Sequence, residues 1–128
     1  MEKNTDKVSA LGHHWLLECY DCDAAILKEY TLVEELLKEA AVKGGMNIIE
    51  TRFHQFEPWG VSGFIIVSES HLSIHTWPEH QFAAIDIFSC QTNIDLEAIL
   101  GHLKTALKTE NINVQKIERG LKKYFSTT

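Results

Sequence analysis

A serine, a histidine and a cysteine stand close together in the middle of this chain, and each has a side chain that can do chemistry. Ser70 follows the acidic residue Glu69, His75 comes five positions later, and Cys90 ends the next apolar segment. A hydroxyl and a thiol are potential nucleophiles, and an imidazole can act as a general base near neutral pH. We expect a bend before Leu72 that leaves Ser70 and His75 in one region, so the sequence predicts a chemical site here.

Each of these residues also has an ordinary structural role. A lone histidine in an apolar strand is commonly a hydrogen-bonded core residue, and a lone cysteine such as Cys90 is commonly a small buried hydrophobe. Ser70 is not part of a Gly-x-Ser-x-Gly motif, which excludes the nucleophile elbow of the α/β-hydrolases. The combination therefore points to a site, although ordinary hydrolase chemistry does not fit it.

Two other pairs of residues have the spacing of metal ligands. Cys19 and Cys22 form a C-x-x-C pair, and His71 and His75 are four positions apart. A structural zinc site usually needs a second such pair, and the chain has no second C-x-x-C. On a strand, a four-residue gap spans about 13 Å, too far for one ion. We therefore expect no metal site, and a non-catalytic metal-binding or interaction domain stays as an alternative of a different class.

Hydrophobic periodicity predicts both strands and helices along the chain. The predicted strands are residues 15–20, 47–56, 64–67, 72–76, 82–90 and 112–117, and the predicted helices are residues 23–42 and 95–108. This order favours an α+β fold, a two-layer sandwich in which a mostly antiparallel sheet carries two helices on one face. The 128 residues are enough for one domain with a real core. Two helices would leave the other sheet face uncovered, so a partner is expected to cover it.

The segment 82–90 indicates which side chains face the site. One alternating set is apolar or small and is expected to face the core, namely Ala83, Ile85, Ile87 and Ser89. The other set brings an acid and a thiol beside an aromatic ring and is expected to face a site, namely Ala84, Asp86, Phe88 and Cys90.

Charge and composition argue against several classes of partner. Twelve Lys and Arg against 18 Asp and Glu give a formal charge of −6, which repels nucleic acid and anionic membranes. No apolar run approaches the roughly 20 residues that span a bilayer, and the polar residues 1–10 lack the apolar region of a signal peptide. Three cysteines cannot all pair within one chain, which favours a reducing compartment. The expected location is the cytoplasm.

Longer strings around these residues resemble a known family. The string ESHLSIHTWPE at residues 69–79 and AAIDIFSC at residues 83–90 are similar to the core of the small prokaryotic S-adenosylmethionine decarboxylase proenzymes. The resemblance continues through FHQF at 53–56, GVSG at 60–63, LG at 11–12 and ERG at 118–120. It covers nearly the whole chain, and the first string, with a cysteine twenty residues after its serine, is highly specific.

The resemblance implies a self-processing enzyme of spermidine biosynthesis. It implies cleavage between Glu69 and Ser70, giving chains 1–69 and 70–128, with Ser70 converted to a covalent pyruvoyl group that forms a Schiff base with the substrate amine. His75 is then the processing base, Ser62 assists the ester intermediate, and Cys90 is the proton donor after carbon dioxide leaves. Members of the family assemble from at least two processed protomers, so a homo-oligomer, at least a dimer, is expected.

Substrate recognition is also implied by the resemblance. Phe56 and Trp77 would stack on the adenine of S-adenosylmethionine, and Glu79 would hold the ribose hydroxyls. The alternative for the two aromatic residues is core packing, and for Glu79 a merely solvated loop position. Glu57 is a carboxylate where the family has neutral residues, and it could pair with the cationic group of ornithine or arginine.

Several other positions depart from the family pattern and leave substrate choice open. The family usually has arginine at position 13, Gly-Tyr at positions 81–82 and glycine at position 91, where this chain has His13, Gln81-Phe82 and Gln91. A pyruvoyl-dependent L-ornithine or L-arginine decarboxylase of the same family is therefore the alternative to the S-adenosylmethionine enzyme.

Overall fold

A six-stranded antiparallel sheet forms one layer of the structure. The computed structural model describes residues 9–126, so most of the polar N-terminal segment 1–10 lies outside the described residues. The strands are β1 (Ala10–Tyr20), β2 (Ile48–Gln55), β3 (Val61–Val67), β4 (Ser70–Trp77), β5 (Phe82–Ser89) and β6 (Asn111–Leu121). Their order across the sheet is β2-β3-β4-β5-β1-β6, and every neighbouring pair is antiparallel.

Three helices form the second layer: α1 (Ala24–Leu27), α2 (Tyr30–Lys43) and α3 (Leu96–Leu107). The predicted single helix over 23–42 was wrong, because the chain breaks between α1 and α2. Glu29 is extended, with φ −99° and ψ 111°. The Leu27 carbonyl, which a continuous helix would use internally, instead accepts a hydrogen bond from the Thr76 hydroxyl at 2.9 Å. A contact 49 positions away thus decides where the helix divides.

The core lies between the helices and one face of the sheet. Each of the central strands alternates buried side chains with more exposed ones, as expected for a sheet covered on one side. The α2 and α3 side chains that pack onto it include Val33, Leu37, Ala41, Ile99, Leu103 and Leu107, all fully buried. The predicted α+β two-layer architecture is confirmed.

The opposite sheet face, which we call the open face, has no helix on it among residues 9–126. The expected core set of β5 is buried, and its other set, with Asp86 and Phe88, is half-buried and points to the open face. Apolar side chains with more than a third of their surface exposed stand on this face, among them Phe64, Ile66, Trp77 and Ile117. Among residues 9–126, none of the helices has the length and hydrophobicity that a bilayer-spanning helix requires.

Strand ends are the least accurate part of the sequence-based prediction. β6 continues to Leu121, four residues beyond the predicted end at residue 117, and is followed by a short 3-10 turn at Lys122–Tyr124. β4 begins at Ser70 and runs without a break to Trp77. The bend that was expected before Leu72 is therefore absent.

Candidate active site

The Glu69–Ser70 peptide bond lies at the end of a two-residue turn between β3 and β4. Val67 and Ser70 pair across the hairpin, which leaves Ser68 and Glu69 as the turn residues. The Glu69 carbonyl accepts a hydrogen bond from the backbone N–H of Cys90 at 3.3 Å. The carbonyl of the predicted scissile bond is thereby held by the residue that carries the predicted proton-donating thiol.

Ser70 and Cys90 meet at this end of the sheet. Ser70 stands directly opposite Ser89 on the neighbouring strand, and Cys90 is the next residue after β5. Cys90 is exposed and free. The two residues that sequence analysis placed twenty positions apart are therefore neighbours in the fold.

Ser62 and His75 form a second polar pair. They face each other across β3 and β4, and the Ser62 Oγ lies 2.9 Å from the His75 Nδ1. His75 follows Ser70 by five residues on one extended strand, which separates their backbones by about 16 Å. Within one chain, the structure does not bring His75 to Ser70.

The predicted substrate-binding residues gather around the Ser62–His75 pair. A pocket of about 240 Å³ is lined by Phe56, Trp59, Gly60, Ser62, His75, Thr76, Trp77 and Glu79. Phe56 and Trp77 are 48% and 41% exposed, so they are not core residues. The Trp59 Nε1 donates a hydrogen bond to the Glu79 Oε1 at 3.1 Å and so holds that carboxylate at the pocket. Aromatic faces and a carboxylate acceptor are thus available together.

Glu57 does not line this pocket. Its side chain is exposed, although both Phe56 and Trp59 beside it contribute to the wall. The geometry therefore gives no support to the idea that Glu57 holds a cationic amino-acid substrate.

A second groove adjoins the pocket and contains residues that sequence analysis did not single out. It encloses about 300 Å³, shares Ser62 and His75 with the first, and adds Arg52, Phe53, His54, Gly63, Phe64 and Ser73. Arg52 and Phe64 pair across β2 and β3, and Phe64 and Ser73 pair across β3 and β4. Only the strand register, which single-sequence patterns do not give, could have predicted this grouping.

The C-x-x-C pair is part of the core. Cys19 and Cys22 are completely buried and free, and the Cys22 thiol donates a hydrogen bond to the Cys19 carbonyl at 3.4 Å. Burial raises the pKa of Cys19 to about 12 and that of Cys22 to about 11, helped by the neighbouring thiol and carboxylates. Both are therefore unreactive thiols near neutral pH.

A cluster with metal-ligand chemistry does occur on the open face. His14, His71 and Asp86 each place one ligand atom within 4.8 Å of the others. Sequence analysis expected no metal site and missed this group, because His14 and His71 are 57 positions apart in the numbering.

Fold and site together describe a small α+β domain in which a hairpin peptide bond, an exposed thiol and a polar pocket share one sheet. Residues 13–120 match the family model described as S-adenosylmethionine decarboxylase. The chain belongs to the S-adenosylmethionine decarboxylase family.

Relatives support this membership over most of the chain. A Thermotoga petrophila protein named S-adenosylmethionine decarboxylase proenzyme is 45% identical over 113 residues, which are 88% of this chain and 87% of that protein. A protein of the same name from Caldanaerobacter subterraneus subsp. tengcongensis is 40% identical, over 89% of this chain and 92% of its own. The crystal structure of the adenosylmethionine decarboxylase from Aquifex aeolicus is similar with a TM-score of 0.81 and 31% identity, covering 94% of this chain and all of that one.

Proposed function

We propose that this protein is a self-cleaving, pyruvoyl-dependent carboxy-lyase that decarboxylates S-adenosylmethionine, the step that supplies the aminopropyl donor of spermidine biosynthesis. One observation carries the proposal beyond family membership. The Glu69–Ser70 bond lies in a two-residue turn, and its carbonyl is already hydrogen-bonded to the Cys90 amide.

Cleavage starts at the Ser70 hydroxyl. Its Oγ attacks the Glu69 carbonyl carbon while the hydroxyl proton passes to a base; the Cys90 N–H donates to the developing oxyanion. The C–N bond then breaks, the Ser70 nitrogen takes up a proton, and an ester replaces the amide. Loss of the Ser70 α-proton expels the Glu69 carboxylate, and water releases ammonia to leave the pyruvoyl group at position 70.

The residues around position 70 fit that group. The Glu69 carbonyl is held by the Cys90 amide, and the exposed Cys90 thiol directly follows Ser89, the residue opposite Ser70. When formed, the group supplies the electron-accepting carbonyl that decarboxylation needs. Cys90 donates the proton that replaces the departing carboxylate on the substrate carbon. Phe56 and Trp77 offer aromatic faces for the adenine, and Glu79 accepts hydrogen bonds from the ribose hydroxyls.

One chain alone does not assemble this site. Ser62, His75 and the pocket lie about 16 Å along the strand from Ser70 and Cys90. We propose that two protomers, or more, pair through their open faces, so that Ser62, His75 and the pocket of one copy serve Ser70 and Cys90 of another. Exposed Phe64, Ile66 and Trp77 give that surface apolar area to bury.

The proposed location is the cytoplasm. Cys90 is an exposed free thiol, and donating a proton requires that it stay reduced.

Parallel incubation of the purified protein with S-adenosylmethionine, L-ornithine and L-arginine tests the substrate. We expect carbon dioxide release from S-adenosylmethionine alone, and none from any of them with Ser70→Ala, which lacks the hydroxyl that starts cleavage. Release from a basic amino acid alone would establish the ornithine or arginine alternative and overturn the proposal.

A further inference from the structure

A chain of polar groups crosses the open face beside the Glu69–Ser70 turn. An Arg119 Nη donates to the His14 Nδ1 at 3.1 Å, and the His14 Nε2 lies 2.6 Å from the Asp86 Oδ2. The Ser73 hydroxyl donates to the other Asp86 oxygen. The His71 Nε2 lies 3.6 Å from the Asp86 Oδ2. These five residues, which we call the Asp86 network, join β1, β4, β5 and β6.

The position of the His14 proton follows from its partners. A guanidinium can only donate hydrogen bonds, so the His14 Nδ1 must accept from Arg119. The neutral imidazole then carries its proton on Nε2, where it donates to Asp86. This contact favours the ionised form of Asp86. Burial by itself raises the pKa of the Asp86 carboxyl, but the hydrogen bonds from Ser73 and His14 and the neighbouring imidazoles lower it by more. The net result is a lowered pKa.

This proton arrangement argues against a metal ion in the cluster. A histidine that binds a metal through Nε2 must present a bare nitrogen there, and its other nitrogen commonly donates to a carboxylate or carbonyl. In His14 the arrangement is the opposite: Nε2 carries the proton, and Nδ1 accepts a hydrogen bond instead of donating one. The Arg119 cation also lies next to the same ring. The geometry therefore favours a hydrogen-bonding network over a metal centre.

The network reaches the scissile bond through His71. This residue directly follows Ser70, and its ring lies between those of Phe64 and Phe88, with centroids 5.2 and 5.9 Å away. Phe88 is two residues before Cys90, and the register sets His71, Phe88 and His14 side by side on three strands. The side chains of His14, Asp86 and His71 are only 18%, 22% and 29% exposed. The Cys90 N–H to Glu69 carbonyl hydrogen bond is thus flanked by packed rings on both strands: His71 is two residues after Glu69, and Phe88 is two residues before Cys90.

We propose that the Asp86 network positions the Glu69 carbonyl on the Cys90 amide, making Asp86 and His14 positioning residues for self-cleavage. The inference rests on the proposed function. The turn between Val67 and Ser70 has only two residues, so a displacement of residue 71 passes directly to the Glu69 carbonyl. A misplacement of about 1 Å at reacting atoms can slow a reaction on the order of 10²-fold.

Variants at Asp86 and His14 test this proposal by the rate of chain cleavage after refolding, followed by intact mass. We expect Asp86→Asn and His14→Phe to slow cleavage by about 10- to 100-fold. His14→Gln keeps one donor and one acceptor, and we expect it to cleave within about threefold of the natural chain. Glu39→Gln, a neutralised carboxylate on the exposed surface of α2 and therefore on the helix side of the sheet, is the matched control and should not change the rate.

A second readout reports the network itself. In the uncleaved Ser70→Ala chain, labelled with ¹⁵N, nuclear magnetic resonance should show His14 as the neutral Nε2–H form, and Asp86→Asn should shift that signal. This measurement does not require cleavage. Failure of the natural chain to cleave would therefore refute the proposed function separately.

Three results would overturn the positioning role. They are unchanged cleavage in Asp86→Asn, a proton on the His14 Nδ1, or stoichiometric zinc in the purified protein whose chelation stops cleavage and whose return restores it. The last result would identify the cluster as a metal centre.

Discussion

At the scale of single residues, the three thiols have different surroundings and should react differently. Cys90 is exposed, while Cys19 and Cys22 are completely buried with raised pKa values. Because the thiolate is the reactive form, a disulfide reagent at pH 7.5 should modify one thiol quickly in the folded protein and all three in denaturant. Cys90→Ala should remove the fast reaction. Rapid modification of two or three thiols in the folded state would contradict the described core.

The Asp86 carboxylate should make stability sensitive to acid. Its pKa is lowered in the folded state, so it contributes stability that is present above the unfolded pKa, about 3.9, and is lost as pH falls through the folded value. In the uncleaved Ser70→Ala chain, the free energy of unfolding in urea should fall on acidification below about pH 4. The same measurement on Ser70→Ala with Asp86→Asn should show a shallower fall, and equal slopes would argue against an ionised, stabilised Asp86.

Sequence alone indicated part of this residue-level arrangement. Alternation along β5 correctly separated buried Ile85 and Ile87 from Asp86, which faces the open side. His14 and Arg119 were not predicted as partners, because they are 105 positions apart and meet only through the register of β1 and β6. Local patterns give the face of a strand, whereas register depends on the whole sheet.

At the scale of elements, Gly63 on β3 is expected to be essential for packing beside the Ser62–His75 pair. A Cβ at this position would lie 1.9 Å from the Phe53 ring, and Phe53 is buried. Gly63→Ala should therefore destabilise the protein by about 1–3 kcal/mol, measured as a lower midpoint of thermal unfolding.

Gly101→Ala is the matched control for that substitution. Nothing lies within 4 Å of a Cβ at Gly101, which is inside α3, so alanine should stabilise the helix by roughly 0.5–1 kcal/mol. Equal midpoints for the two variants would show that β3 and Phe53 are not packed as described.

The positions of most strands and helices were predictable from periodicity. The exceptions are places where contacts between residues distant in sequence set the local structure. The strands β1, β3, β4 and β5 alternate as expected and α3 has the expected helical spacing, whereas β2 and the edge strand β6 show no regular alternation. The break between α1 and α2 was not predictable in this way. At the break, the Leu27 carbonyl accepts a hydrogen bond from the Thr76 hydroxyl, which is 49 positions away in the sequence. The straight β4 is a similar case: antiparallel pairing on both sides keeps Ser70 to Trp77 extended, so His75 is carried away from Ser70.

At the scale of the whole molecule, a site shared between protomers predicts complementation. Ser70→Ala keeps the pocket but cannot form the pyruvoyl group, whereas the double variant Trp77→Ala, Glu79→Gln keeps Ser70 and Cys90 but loses the pocket. Each alone should be nearly inactive. Co-expression in equal amounts should restore about a quarter of the activity, because half of random dimers are mixed and each contains one intact site.

The control for this experiment is to place all three substitutions in one chain and co-express it with the natural chain. In its mixed dimers every shared site combines an intact half with a defective one, so only the dimers of two natural chains are active, about a quarter of the total. About half would remain active if the complete site lay within a single protomer. Absence of restored activity from the two complementary variants would place the complete site within a single protomer.

The intact mass of the purified protein under denaturing conditions shows whether the Glu69–Ser70 bond is cleaved. We predict two chains, residues 1–69 and residues 70–128, the second beginning with a pyruvoyl group, while Ser70→Ala stays as one uncleaved chain. A natural protein that remains a single chain of 128 residues, as Ser70→Ala is expected to do, would refute self-cleavage at this bond.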